Sequence, residues 1–157
     1  MEKKRLVIEY CEYDSLQEME PGDRALMEAA MQATETAYAP YSQFHVGAAV
    51  RLADGTVVKG SNQENIAYPS GLCAERTAMF SASAQYPDKA MAALAVVGFH
   101  EGAFVEASPC GACRQVMAEY ELRHGVELTV FCYLQGGRIR EIKGVKSLLP
   151  FGFKAEL

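Results

Sequence analysis

Histidine is scarce in this sequence: His45, His100 and His124 are the only three, and each stands alone. A closed structural metal site takes four protein ligands, so it has no obvious histidine to complete it. Long apolar runs are missing too. No stretch approaches the roughly 20 residues of a membrane-spanning helix. The basic start, Met1-Glu2-Lys3-Lys4-Arg5, leads into Leu6-Val7-Ile8, which Glu9 interrupts at once. That is too short for a signal-peptide core, and a cytoplasmic protein is the expectation. Positive charge is in deficit: the formal net charge is −5 and the pI about 5.2. A domain that grips a phosphate backbone clusters its basic residues, typically at a pI above about 9. Here they are scattered, apart from Lys3 to Arg5 and Arg138 to Lys146. That excludes nucleic acid as the expected partner and favours a small, neutral ligand. Repeats, linkers and low-complexity segments are also absent. Half of the 157 residues are hydrophobic, enough for one globular domain with a substantial core.

What is present is concentrated in cysteine. Five is an odd number, and in a reducing compartment these read as thiols rather than disulfides. Cys11 lies near the start; Cys132, inside a strand-like run, reads as a small buried hydrophobe. The other three stand in Cys73-Ala74-Glu75 and Pro109-Cys110-Gly111-Ala112-Cys113. Three thiolates fill three corners of a zinc tetrahedron and leave the fourth open to water, as catalytic zinc requires. Glu75, two residues from Cys73, is placed to handle that water's proton. Cys110-x-x-Cys113 taken alone reads equally as a redox pair or as half of a structural zinc site. A redox pair, however, has no need of Cys73-Ala74-Glu75. Both thiol segments fall at predicted helix starts, where unpaired N–H groups and the positive end of the helix dipole favour thiolate over thiol. Three thiolates on one Zn²⁺ leave a net negative charge, and Arg76 is the candidate to offset it by hydrogen bonding to a thiolate.

Leu26, Ala30, Ala33 and Ala37 recur at helical spacing and predict a first helix capped by Asp23 and finished by Ala39, because the residue before Pro40 is pushed out of the helical region. Strand-like runs at 44–52 and 56–61 flank Asp54-Gly55, a hairpin signal. A second helix is predicted over 73–84, a strand buried on both faces over 90–98, and a third helix over 111–122. Runs at 128–134 and 138–142 predict a closing antiparallel hairpin. The expected fold class is α/β, a three-layer α/β/α sandwich around a mixed five-stranded sheet. Residues 21–157 form the expected single domain, with residues 1–20 an N-terminal extension of no assigned role.

The motifs extend beyond the thiols. Ala37-Tyr38-Ala39-Pro40-Tyr41-Ser42-Gln43-Phe44-His45-Val46-Gly47, Gly60-Ser61-Asn62-Gln63-Glu64-Asn65 and Ser108-Pro109-Cys110-Gly111-Ala112-Cys113-Arg114-Gln115 join Cys73-Ala74-Glu75-Arg76-Thr77-Ala78. Together they resemble the small, homotetrameric, zinc-dependent cytidine deaminases of pyrimidine salvage, which share the nucleobase-deaminase order of ligand, glutamate and Pro-Cys-x-x-Cys. The resemblance implies hydrolytic deamination of cytidine and 2′-deoxycytidine to uridine and 2′-deoxyuridine. It implies Zn²⁺, one per subunit, on Cys73, Cys110 and Cys113, with Glu75 as base and then acid. It assigns Asn62 and Glu64 to the sugar 3′-hydroxyl, Phe44 to the pyrimidine ring, Ala74 to the base through its N–H, and Tyr68 to the 5′-hydroxyl. It has Phe153 reach into the neighbouring subunit's pocket, a part that Phe151 fits as well, and so implies a homotetramer with shared sites. Alternatives stay open: a deaminase of a modified cytosine nucleoside of the blasticidin-S type, a non-catalytic zinc-stabilised interaction domain, or a redox protein.

Overall fold

The structure, a computed structural model, describes residues 1–154. Pro21 opens helix α1 (Pro21–Ala33), its fixed φ and missing N–H suiting the first helical position. The helix therefore starts earlier than a cap at Asp23 predicts; Asp23 lies in its first turn and pairs with Arg51 at 2.7 Å. α1 ends at Ala33, within the limit that Pro40 sets but short of Ala37, the last position of the helical pattern. The Thr34 and Thr36 hydroxyls donate back to the Met31 and Ala33 carbonyls at 2.7 and 3.1 Å. The chain there tightens into a 3-10 turn, Thr34–Thr36, and leaves the helical region.

Strands β2 (His45–Leu52) and β3 (Val57–Ser61) form the hairpin signalled by Asp54-Gly55, with Gly55 at φ 90°. Helix α2 (Ala74–Gln85), β4 (Met91–His100), β5 (Ala103–Val105), α3 (Gly111–His124), β6 (Thr129–Tyr133), β7 (Ile139–Lys143) and the short α4 (Val145–Leu148) follow. β4 runs antiparallel to β2 and parallel to β6, so the sheet is mixed. Its side chains alternate between faces. Ala93, Ala95 and Val97 pack with Leu26, Met27 and Ala30 of α1, while Leu94 and Val96 pack with residues of α2, α3 and α4. The result is the expected α/β/α sandwich.

The sheet has seven strands rather than five. The two extra ones are three residues each: β1 (Cys11–Tyr13), paired with β7, and β5, paired with the end of β4. Neither is long enough to show an apolar alternation in sequence. β1 is held instead by polar contacts. Glu12 accepts from Arg138 at 2.9 Å and Arg140 at 2.7 Å, and the Tyr13 hydroxyl donates to the buried Glu141 carboxylate. β5 returns through Glu101-Gly102, both at positive φ (50° and 81°), as a two-residue type I′ turn requires. Residues 11–13, set apart by the sequence reading, thus join the sheet edge.

The helix that carries Glu75 rests directly on β3. A Cβ at Gly60 would lie 2.4 Å from the Ala78 N and 2.7 Å from the Ala74 O. Gly60→Ala must therefore lift the first turns of α2 off the sheet. Overpacking of this kind costs about 1–3 kcal/mol, and the urea midpoint should fall accordingly. An unchanged midpoint would mean that α2 does not depend on that close approach.

Candidate active site

Two helices begin side by side on the same face of the sheet. Cys73 caps α2 and Cys110 caps α3, both on extended backbone (ψ 152° and 168°), and Cys113 is buried in the first turn of α3. The Cys110 Sγ lies 3.7 Å from the Cys73 Sγ and 3.5 Å from the Cys113 Sγ, and all three sulfurs fall within 4.8 Å of one another. A tetrahedral centre with Zn–S bonds of about 2.3 Å puts its sulfurs roughly 3.8 Å apart. The donor set therefore has both the softness and the span of a zinc site. Among the described residues no fourth histidine, cysteine or carboxylate joins the group, which fits a centre with one corner open to water.

Bringing three thiols this close is electrostatically costly unless positive charge comes with them. The Arg76 Nη2 lies 3.7 Å from the Cys73 Sγ, and its Nε is buried without a partner among the described residues. The Cys73 thiol is drawn down to about 5, first by its contact with Cys113 and then by Arg76 and Cys110, against the opposing effect of burial. The same contact with Cys73, together with burial, pushes Cys113 far above the ordinary thiol range. Without a metal the interacting Cys73–Cys113 pair thus gives up one proton readily and resists losing a second. Glu75, only 3 % exposed, is raised to about 7, first by burial and also by the Cys73 charge. A carboxyl at that position can both take and return a proton near neutrality.

A cavity of about 850 Å³ opens onto this centre. Cys73, Ala74, Glu75, Arg76 and Cys110 form one side, and Phe44, Asn62, Glu64 and Tyr68 another. Cys113 lies behind the wall. Asn62 and Glu64 are also engaged with the chain around Phe44. The Asn62 Oδ1 accepts from the Val46 N–H at 2.8 Å and its Nδ2 donates to the Phe44 carbonyl at 2.9 Å. The Glu64 carboxylate accepts from the Tyr41 N–H at 2.9 Å and from the Ser42 hydroxyl, which holds it below the usual carboxylate range. Tyr68 is 76 % exposed and meets the Tyr41 ring edge-on at 6.1 Å. Phe153 does not line this chain's cavity: it is 83 % exposed, with its carbonyl accepting from Gln115 at 2.9 Å, and Phe151 is 99 % exposed. Tyr41, Ser42, Leu72 and Glu106 line the cavity as well, although sequence reasoning singled out none of them. Tyr41 and Ser42 sit in a motif stretch beside Phe44 and were findable there. Glu106 is an isolated acid with no pattern around it.

Residues 21–129 match the family model of the cytidine and deoxycytidylate deaminase zinc-binding region. The chain is 44% identical over 131 residues to a cytidine deaminase of Halalkalibacterium halodurans, covering 83% of this chain and 93% of that relative. It is 44% identical over 131 residues to one of Sporosarcina psychrophila, covering 83% and 90%. Among solved structures, the cytidine deaminase of Burkholderia pseudomallei superposes with a TM-score of 0.71 at 46% identity, covering 82% of this chain and 97% of that one. The cytidine deaminase of Mycobacterium tuberculosis gives 0.66 at 34% identity, covering 83% and 96%.

Two measurements check the centre. Metal analysis should find one zinc per chain in the wild type and essentially none in Cys110→Ala; full zinc retention in that variant would place the ion elsewhere. In metal-free protein, alkylation of Cys73 should rise with pH through a midpoint near 5 rather than near 9, because deprotonation creates the reactive thiolate. Arg76→Ala should move that midpoint upward, and an inflection near 9 in the wild type would refute the electrostatic account.

Proposed function

The chain belongs to the cytidine and deoxycytidylate deaminase family, a deaminase with Zn²⁺ as its metal, and we propose that its reaction is hydrolysis of cytidine and 2′-deoxycytidine to uridine and 2′-deoxyuridine plus ammonia, serving pyrimidine salvage. The observation that carries this reading is the convergence of two thiols and one buried carboxylate on the wall of a single cavity, with the third thiol of the group, Cys113, directly behind that wall. Zinc bound there supplies Lewis acidity that lowers the pKa of a water from about 15.7 toward 7.

The remaining steps belong to the chain's own residues. Glu75 takes the proton of the water that attacks C4 of the base, delivers it to ring N3, and then assists the departure of the amine, so one carboxyl serves as base and then as acid. Its burial keeps bulk water from competing for that proton. Ala74 is the first residue of α2, where N–H groups lack intrahelical acceptors, and it donates to the base. Phe44 packs on the pyrimidine ring. Asn62 and Glu64 hold the sugar. Their existing bonds leave room for this, because an amide and a carboxylate each keep further donor or acceptor capacity. The segment ordered by this pair is thus the one that meets the base, which links sugar recognition to base recognition.

Tyr68 and Phe153 are strongly exposed in the single chain, and Tyr38, Tyr41 and Ile66 expose further apolar surface. This supports a homotetramer in which the ring of Phe153 completes a neighbouring site. Among the described residues no helix is long and apolar enough to cross a membrane, and the proposed place of action is the cytoplasm.

The decisive assay follows absorbance loss as purified, zinc-replete protein meets cytidine. Conversion to uridine is expected in the wild type, with a loss of about 10²–10⁴-fold or more in Glu75→Gln. Turnover of a modified cytosine nucleoside far above that of cytidine would overturn the substrate assignment. Light scattering should give four times the 17.2 kDa chain mass. A stable, fully active monomer would remove the shared-site reading.

A further inference from the structure

The wall that presents Phe44 to the cavity is held from outside the active site by the β4–β5 hairpin. β4 continues past its last pairing with β2, at His45↔Phe99, and turns back through Glu101-Gly102 into β5. That extra reach brings His100 to Gln43, 57 positions away in sequence, where the His100 Nδ1 lies 3.0 Å from the Gln43 carbonyl oxygen. Gln43 adopts a left-handed backbone (φ 56°), a conformation that non-glycine residues hold only when their surroundings impose it. The next residue is Phe44. Its ring packs against the His100 ring at 5.8 Å and lies over Gly98, where a Cβ would come within 2.8 Å of its Cζ. The absent side chain at Gly98 is the slot, and the ring of His100 is its edge.

We propose that His100 and Gly98 are positioning residues for Phe44: the hairpin sets the pose of the aromatic wall and thereby tunes nucleoside affinity without touching the reacting atoms. The inference rests on the deaminase reading. The two atoms that would carry it are the Nδ1–H, which donates to the Gln43 carbonyl and stabilises the left-handed turn, and the ring, which backs Phe44. The main-chain groups of Phe44 are separately satisfied by the Ser42 hydroxyl and the Asn62 amide, at 3.0 and 2.9 Å. Loss of His100 should therefore loosen the ring and its approach angle rather than unfold the segment.

The test compares the wild type with His100→Ala, His100→Phe (ring kept, N–H donor lost), His100→Asn (donor kept, ring lost) and Gly98→Ala. Steady-state kinetics with cytidine are read beside the dissociation constant of uridine and the thermal midpoint. Losing the hydrogen bond and the ring contact together should raise KM and the uridine dissociation constant together by about three- to ten-fold in His100→Ala. Because the effect is on binding common to ground and transition states, kcat should stay within about twofold. His100→Phe and His100→Asn, each of which keeps one of the two contacts, should recover part of that affinity, and Gly98→Ala should weaken it. Unchanged KM and uridine binding in His100→Ala would overturn the proposal. So would a fall in thermal midpoint or kcat with affinity intact, which marks a merely structural role. A wild type that neither binds uridine nor turns over cytidine would instead overturn the deaminase reading, and this inference with it.

Discussion

Crowding of negative charge is the constraint around which the molecule is arranged. Three sulfurs lie within 4.8 Å of one another, and a carboxyl buried to 3 % exposure stands beside them. At such separations like charges repel strongly unless something positive is built in. The fold supplies it from two helix starts, with Cys73 and Cys110 as the cap residues of α2 and α3, and from Arg76 reaching back to Cys73. Even so, burial and the mutual contact of Cys73 and Cys113 oppose a second negative charge on that pair. A divalent cation resolves what the protein leaves over, so metal affinity and local stability are coupled there.

Bringing two helix N-termini together demands that both helices lie close to one sheet face, and the residues of the interface are small for that reason. Ala74, Ala78 and Ala82 of α2 are fully buried. Gly60 beneath them leaves no room for a Cβ, and on the other face Gly47 sits equally close, with a Cβ position 2.0 Å from the Ala30 carbonyl of α1. Interiors packed this tightly change shape reluctantly. The platform thus holds Glu75 and the thiols in register, while the Phe44 side of the site is built from the loop above it.

Those loops are organised by polar bonds rather than by packing. Asn62 and Glu64 tie the Tyr41–Val46 segment to the end of β3, and His100 ties it to the β4–β5 hairpin. Phe44 is the point where these attachments meet. The carboxyl and thiols thus sit at the starts of two packed helices, whereas Phe44 sits on a strapped loop.

Much of this was readable beforehand, and the reason is local. The hairpin at Asp54-Gly55, the doubly buried strand over 90–98 and the spacing of Cys73, Glu75, Cys110 and Cys113 are signals carried by the chain itself, and they suffice for the layer architecture and the donor set. The errors were also local in origin. Asp23 has the chemistry of a cap, but Pro21 starts the helix and Arg51, 28 positions away, engages the carboxylate. β1 and β5 are too short to carry a periodic pattern: β1 exists because Arg138, Arg140 and Glu141, distant in sequence, hold it, and β5 because the Glu101-Gly102 turn folds it back onto β4. By itself the sequence determined the layer architecture and the three-thiol donor set, because hydrophobic pattern, ligand type and spacing are properties of the chain. Only the tertiary structure decided that the thiols share one proton balance, that Asn62 and Glu64 brace Phe44, and that His100 reaches it from 57 positions away. Those facts depend on which segments distant in sequence are brought together, and that pairing has no local signature in a string of residues.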